Sequence, residues 1–355
     1  MGAAMPNMAS AMPAMDPAEI AKRIADLRSV ENWLNMNLSM LRMHVQALEM
    51  QQAAMGAMRV KQNFWRESSV GLIATVGDPL GRGGSWLAGP DLTLQTSRFR
   101  GNKNLRAGAW ALALGRDGLR GDRTASGFRV EYPNDLWNMF WSTMRVGDAF
   151  DPSLGFVPRA SMYYHRLTVE HAPRFNNAWL RQAQHEFQAQ LWTNLRGQWE
   201  SYRVQTAPLN WRFNSGDRVE FNYAPTGETL SQPFAVADNV TIPVGRYTWT
   251  RWRLEGQAAA KRRVSGQLTW WFGGFYGGTL KEITWRGRVE FGPRFYAEPT
   301  LSLNYFNTQF GRGDSNIISS RLTYTLSPRM FVSALVQYQS RTDSVTSNAR
   351  FRWEY

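Results

Sequence analysis

The chain of 355 residues contains no cysteine. That excludes disulfides, thiol catalysis and cysteine-ligated metal, and it suits a secreted protein that avoids stray thiols. It also lacks any run of about 18 apolar residues, so no hydrophobic helix is predicted to cross a membrane. A mean hydropathy of −0.43 argues against a polytopic helical membrane protein. Histidine is scarce. His44, His165, His171 and His185 form no His-x-x-x-His or Glu-x-x-His arrangement, and His165 and His171, on one face of one predicted strand, stand too far apart for a single ion. No Gly-x-Ser-x-Gly elbow, phosphate loop or dinucleotide fingerprint is present. The expectation is a non-enzymatic protein with no catalytic, cofactor-binding or metal-binding residues and no cofactor. The net charge of +13 and pI of 10.3 raise the question of nucleic acid. The arginines, however, are spread along alternating segments rather than clustered, which predicts no nucleic-acid partner.

What is present divides sharply. Residues 1–58 hold 11 of the 15 methionines and one aromatic, Trp33; the other 46 aromatics all follow. Met1 to Met15 is an Ala/Met/Pro stretch without Lys or Arg, interrupted by Pro6 and Pro13. It reads as a disordered leader and matches a secretory signal poorly. At Asp16-Pro17-Ala18-Glu19 a capping box with proline at the first helical position announces a helix. Ile20, Leu27, Leu34, Leu41, Leu48 and Met55 then recur every seventh residue, with Ile24, Leu38 and Val45 in a second series that includes Glu31 and Gln52. Such a stripe predicts a coiled-coil helix over 16–58 and a homo-oligomer joined through Ile20, Leu27, Leu34, Leu41 and Leu48.

From Arg59 the period changes to two. Glu282, Thr284, Arg286, Arg288 and Glu290 alternate with Ile283, Trp285, Gly287, Val289 and Phe291. Val264, Leu268, Trp270 and Phe272 oppose Ser265, Gln267 and Thr269, and Ala349, Phe351, Trp353 and Tyr355 oppose Arg350, Arg352 and Glu354. Residues 180–192 read as another such strand, with Gln182, Gln184, Glu186, Gln188 and Gln190 on one side and Ala183, His185, Phe187, Ala189 and Leu191 on the other. One face is apolar and the other carries both signs of charge. The long strands, with Tyr247, Trp249, Trp252, Tyr305 and Phe306 near their ends as a membrane-interface girdle, predict an all-β fold: a large antiparallel transmembrane β-barrel over 59–355. At about 20 residues per strand and turn this gives roughly 14–16 strands. Ser327-Pro328-Arg329 and Gly292-Pro293 read as short periplasmic turns, Gly227 to Gly245 as a longer external loop, and Phe150 to Arg159 as a structured turn. Gly273-Gly274 and Gly277-Gly278 around Phe275-Tyr276 read as a hairpin rather than a phosphate cradle.

Two resemblances attach to these segments. Ile24-Ala25-Asp26-Leu27-Arg28-Ser29-Val30-Glu31, Trp33 to Leu41 and Gln46-Ala47-Leu48-Glu49 closely resemble the helical core of phasin-type regulators of polyhydroxyalkanoate granules, which implies oligomerisation and a granule surface. The Lys/Ala/Pro-rich DNA-binding tail of some members has no counterpart here. Ser68 to Thr75, Phe150 to Val157 with Arg159, and the ending Ser347 to Tyr355 resemble a family of uncharacterised outer-membrane barrels. Its members usually carry a carbohydrate-binding, family-nine-like domain ahead of the barrel and one or two further strands after it, and this sequence departs from both patterns. That resemblance implies outer-membrane lipid and the barrel-assembly machinery as partners, with passage or surface binding of small or glycan-like solutes. The alternatives are a cytoplasmic granule-associated protein and a chimaeric product joining the two, which sequencing the locus upstream of Arg59 would distinguish. The helix is expected to project from the barrel, because burying Leu34, Leu38 and Leu41 against charged strands would desolvate those charges without partners.

Overall fold

The computed structural model describes residues 55–237 and 239–354. The leader, the phasin-like helix and its oligomer stripe lie outside them up to Ala54. The described residues form β-strands and connections, with no helix among them. In chain order the strands are β1 (Gly56–Phe64), β2 (Ser68–Val76), β3 (Trp86–Phe99), β4 (Lys103–Gly115), β5 (Thr124–Pro133), β6 (Trp137–Val146) and β7 (Met162–His171). Then follow β8 (Leu180–Ala183), β9 (His185–Asn194), β10 (Trp199–Phe213), β11 (Arg218–Leu230), β12 (Phe234–Ala237), β13 (Val240–Ile242) and β14 (Gly245–Ala258). The last six are β15 (Val264–Phe275), β16 (Gly278–Glu290), β17 (Phe295–Thr308), β18 (Gly311–Ser327), β19 (Met330–Gln339) and β20 (Ser344–Trp353).

These make one 18-stranded antiparallel sheet and a separate hairpin, β12–β13. Within the sheet β8 is a side-piece on β10, so the other 17 strands follow one another as neighbours in sequence order. The strand number exceeds the expected 14–16 because the turns at one end are shorter than a repeat of about 20 residues assumes. β1 also begins at Gly56, ahead of the expected boundary at Arg59. The 180–192 run is not one strand: the ladder breaks at Gln184, whose N–H binds the Asn210 carbonyl at 2.8 Å. The break faces a register shift in β10 between Thr206 and Leu209, where Pro208 stands without an N–H to donate.

Connections sort by end. Tight ones (65–67, 100–102, 134–136, 214–217, 259–263, 291–294 and 328–329) lie at one end, together with one long connection, 172–184, which carries β8. The opposite end carries 77–85, 116–123, 147–161 and 231–244, with shorter turns between them. The expected short turns at Gly292-Pro293 and Ser327-Pro328-Arg329 lie at the opposite end from the expected Gly227 to Gly245 loop, as an up-and-down antiparallel sheet places them; Gly227 to Leu230 of that loop still belongs to β11, and Ser327 ends β18.

Register assigns every strand two faces. Glu220, Asn222 and Ala224 of β11 stand opposite Glu255, Arg253 and Arg251 of β14, which stand opposite Thr269, Trp271 and Gly273 of β15. This polar face is the more buried one: Glu220 and Glu255 are each 4% exposed and Asn222 is fully buried. The other face is apolar and bare. Leu72, Leu92, Phe128, Trp141, Leu167, Leu254, Trp270, Ile318, Val332 and Phe351 all lie on it and are all exposed, from one edge of the sheet to the other.

Candidate functional site

The polar face is the only continuous surface among the described residues on which chemistry-bearing side chains gather, and three parts of it differ in kind.

Toward the long-connection end of β3–β9 it turns apolar. Leu114, Ala125, Val146 and Met162 form a buried cluster with Phe150, and Leu87, Trp110, Met144, Val157, Tyr164 and Trp192 pack around it. Phe150 and Val157 come from the 147–161 connection, which therefore folds over the polar face instead of into solvent. Its tethers are polar. Asp78 accepts hydrogen bonds from the Ser153 hydroxyl at 2.5 Å, the Leu80 N–H at 2.7 Å, Arg82 Nε at 2.7 Å and the Ser85 hydroxyl at 3.3 Å. Burial alone would push the Asp78 carboxyl up, but these donors, led by Ser153, outweigh it and hold the group at about 2. Asp151 pairs with Arg116 at 2.7 Å, and Arg159 donates to the Ser201 hydroxyl at 3.0 Å. The segment expected only as a structured turn thus bridges from the β2–β3 connection to β10.

A second cover lies over β14–β18. The β12–β13 hairpin buries Val240 and Ile242, and Phe234 meets the ring of Tyr276. Tyr276 and Gly277 form the two-residue turn between β15 and β16, both at positive φ, 42° and 77°. A tyrosine there is strained. Its ring packs among Tyr247, Trp249 and Phe275, and its hydroxyl donates to Glu228 at 2.5 Å. Burial and that bond push the phenol up. Tyr247 and Trp249 accordingly sit on the polar face, opposite Glu228 and Thr226 in register. Of the aromatics expected in an interface girdle, Trp252 and Tyr305 lie on the apolar face, while Tyr247, Trp249 and Phe306 do not, because their alternation is set by the ladder and not by nearness to a strand end.

Between these covers runs a ladder of charge. Arg253 pairs with Glu220, reaches Asn222 Oδ1 at 2.6 Å and lies 3.5 Å from Glu255. Arg218 bridges the same two glutamates, Arg251 pairs with Glu282, and the Thr269 hydroxyl donates to Glu255 at 3.1 Å. Carboxylates this buried persist only when paired. Around β3–β5 the pairs are Arg59 with Asp91 and Arg129 with Glu131 at 3.2 Å. Alternation in the sequence exposed the two signs on one face; which arginine meets which glutamate depends on cross-strand register.

The described histidines, His165, His171 and His185, stay apart from this face. His171 stacks on Trp137, with ring centroids 4.2 Å apart, and lies 6.3 Å from His185, while His165 shares a hydrogen bond with Thr143 at 3.0 Å. No cluster of potential metal ligands occurs among the described residues.

No protein-family model matches the chain, and no curated protein matches it. Among solved structures, the chain is similar to CdiB from Escherichia coli at 12% identity and a TM-score of 0.27. The match covers 84% of this chain and 62% of that one, so the chain spans less than two thirds of its length. A likeness at that level carries no argument about activity.

Proposed function

We propose that residues 56–353 form an outer-membrane β-barrel whose polar face lines a passage for small solutes, without catalysis. The observation that carries this reading is the pairing of a bare apolar face spanning all 17 successive strands with a buried, charge-paired face behind it. A soluble sheet does the reverse, burying its apolar side; soluble monomers rarely expose a contiguous apolar patch beyond a few hundred Å². Lipid satisfies such a face, and only a sheet curled on itself can stand in lipid. Strands of 9–17 residues are long enough, since about 9–11 tilted residues cross a bilayer. At the tight-turn end Phe64, Trp65, Phe99, Tyr132, Trp137 and Trp353 supply a girdle at one water interface. Outer-membrane lipid and the barrel-assembly machinery are the partners this reading requires, and the covers over 147–161 and 231–244 mark the narrower mouth.

Envelope fractionation with heat-modifiable gel migration tests it. Recovery in the outer membrane, with a folded band that shifts on boiling, is expected. A soluble cytoplasmic protein with helical circular dichroism would sink the proposal.

A further inference from the structure

Charge on the polar face is not evenly matched. From β7 to β15 the cations Arg166, Arg203, Arg212, Arg218, Arg251 and Arg253 meet Glu170, Glu186, Glu220, Glu228, Glu255 and, from β16, Glu282. The two sets balance. From the far half of β16 through β20 and on to β1 they do not. Arg286, Arg288, Arg321, Arg350 and Arg352, with Arg59 and Lys61, face only Glu290, Glu298, Glu354 and Asp91. The acids are already engaged: Glu290 and Glu298 lie 2.9 and 3.9 Å from Arg288, Glu354 pairs with Arg352 and Asp91 with Arg59. Arg286, Arg321 and Arg350 make no ion pair among the described residues.

Two of these three arginines line one groove. Arg321, Arg350 and Arg352 stand around a space of about 730 Å³ with Thr323, Ser333 and Asn348 as neutral hydrogen-bonding groups. We propose that this groove is an anion-binding station in the passage, selecting small solutes that carry two or more carboxylate or phosphate charges. Guanidinium forks bind such groups two bonds at a time, and the flanking hydroxyl and amide groups complete the shell of a solute leaving water. Glu298 also lines the groove, opposite Arg321 in register, so three arginines stand against one carboxylate; a wall of net positive charge along a low-dielectric sheet raises the local concentration of counter-charged solute. The wall from β7 to β15 carries no such excess, because its six arginines face six glutamates, of which Arg218, Arg251 and Arg253 are ion-paired while Arg166, Arg203 and Arg212 make no ion pair among the described residues.

The inference rests on the passage reading, and planar-bilayer recording of the full chain separates the two. Inserted protein in a potassium chloride gradient should show a reversal potential favouring chloride several-fold over potassium, and citrate should block the chloride current. Arg321→Glu with Arg350→Glu should abolish the block and lower or invert the preference. Asn348→Asp, a smaller change in the same groove, should weaken both in the same direction if the double variant does not fold. Lys281→Glu removes a cation from the opposite, apolar face, next to Tyr305 in register, and should leave both unchanged. Conductance that lacks anion preference, or citrate block that survives the groove variants, overturns the anion station and leaves the passage standing. A folded, membrane-inserted chain that conducts nothing overturns the passage itself.

Discussion

Asp78 shows how a single carboxylate can hold a cover in place. Four donors converge on it, and two of them, Ser153 and Arg82, belong to or reach the 147–161 segment. Because its folded value of about 2 lies below the ordinary aspartate value of about 3.9, its contribution is complete above about pH 4 and is lost as pH falls through about 2. Amide protection of Phe150 and Ser161, both of which donate to the Gly147 carbonyl, should therefore hold at pH 5 and fall on acidification toward 2.5. In Asp78→Asn it should be low at both values. Protection that ignores pH in the wild type would contradict this. Phe150 supplies the apolar half of the same clasp. At 6% exposed, its replacement by alanine should cost about 3–5 kcal/mol of local stability, read as a roughly hundredfold or greater loss of protection across the segment.

At the scale of elements, Gly311 is where the β12–β13 hairpin meets the start of β18. Its φ of 141° is one that side chains rarely adopt, and an added Cβ would stand 2.7 Å from a methyl of Val240. Gly311→Ala should push the β12–β13 hairpin off the start of β18, exposing Val240 and Ile242 to proteolysis while strand content by circular dichroism stays unchanged. Val240→Ala in the same chain should recover the steric part only; full recovery would mean that the backbone angle costs nothing. The sequence made strands such as 264–275, 278–290 and 344–353 legible because alternation survives wherever one face meets a different environment from the other. It did not disclose the two covers. Phe150, Val157 and Ile242 sit in stretches rich in turn formers, where local pattern is silent and only the apolar end of a distant polar face decides that they fold inward. Nor could it separate Tyr247 and Trp249 from Trp252, since phase along a strand is fixed by neighbours. Arg350 and Arg352 were visible as alternating charge, but Arg321 was not singled out, and the imbalance of the groove depends on which strands stand side by side.

For the whole molecule, parity of the strands has a consequence. Seventeen strands in simple succession run alternately, so the first and last run the same way. Gly56 at the start of β1 pairs with Val76 at the long-connection end, and Trp353 at the end of β20 pairs with Met330 at the tight-turn end. Both edges are bare: every residue of β1 between its first and last is exposed, as is every residue of β20 after Ser344. In lipid each unpaired backbone group costs several kcal/mol, so two open edges would outweigh the stability of an ordinary fold. Among the described residues each edge has one candidate neighbour, the other edge, and joining them gives a parallel ladder in an otherwise antiparallel barrel. An odd strand number is compatible with closure, as mitochondrial channel barrels with an odd count of strands demonstrate. Since the chain has no cysteine, introduced pairs report alone. Cysteines at Met58, Val60 and Gln62, scanned against Ser347, Ala349 and Phe351 on the same apolar face, should cross-link in the inserted protein. The preferred partner should advance along β20 as the position advances along β1. A reversed order would contradict parallel pairing. No cross-link in a folded, heat-modifiable chain would mean that another strand occupies the seam, because two strand spacings of about 4.8 Å exceed the reach of a disulfide.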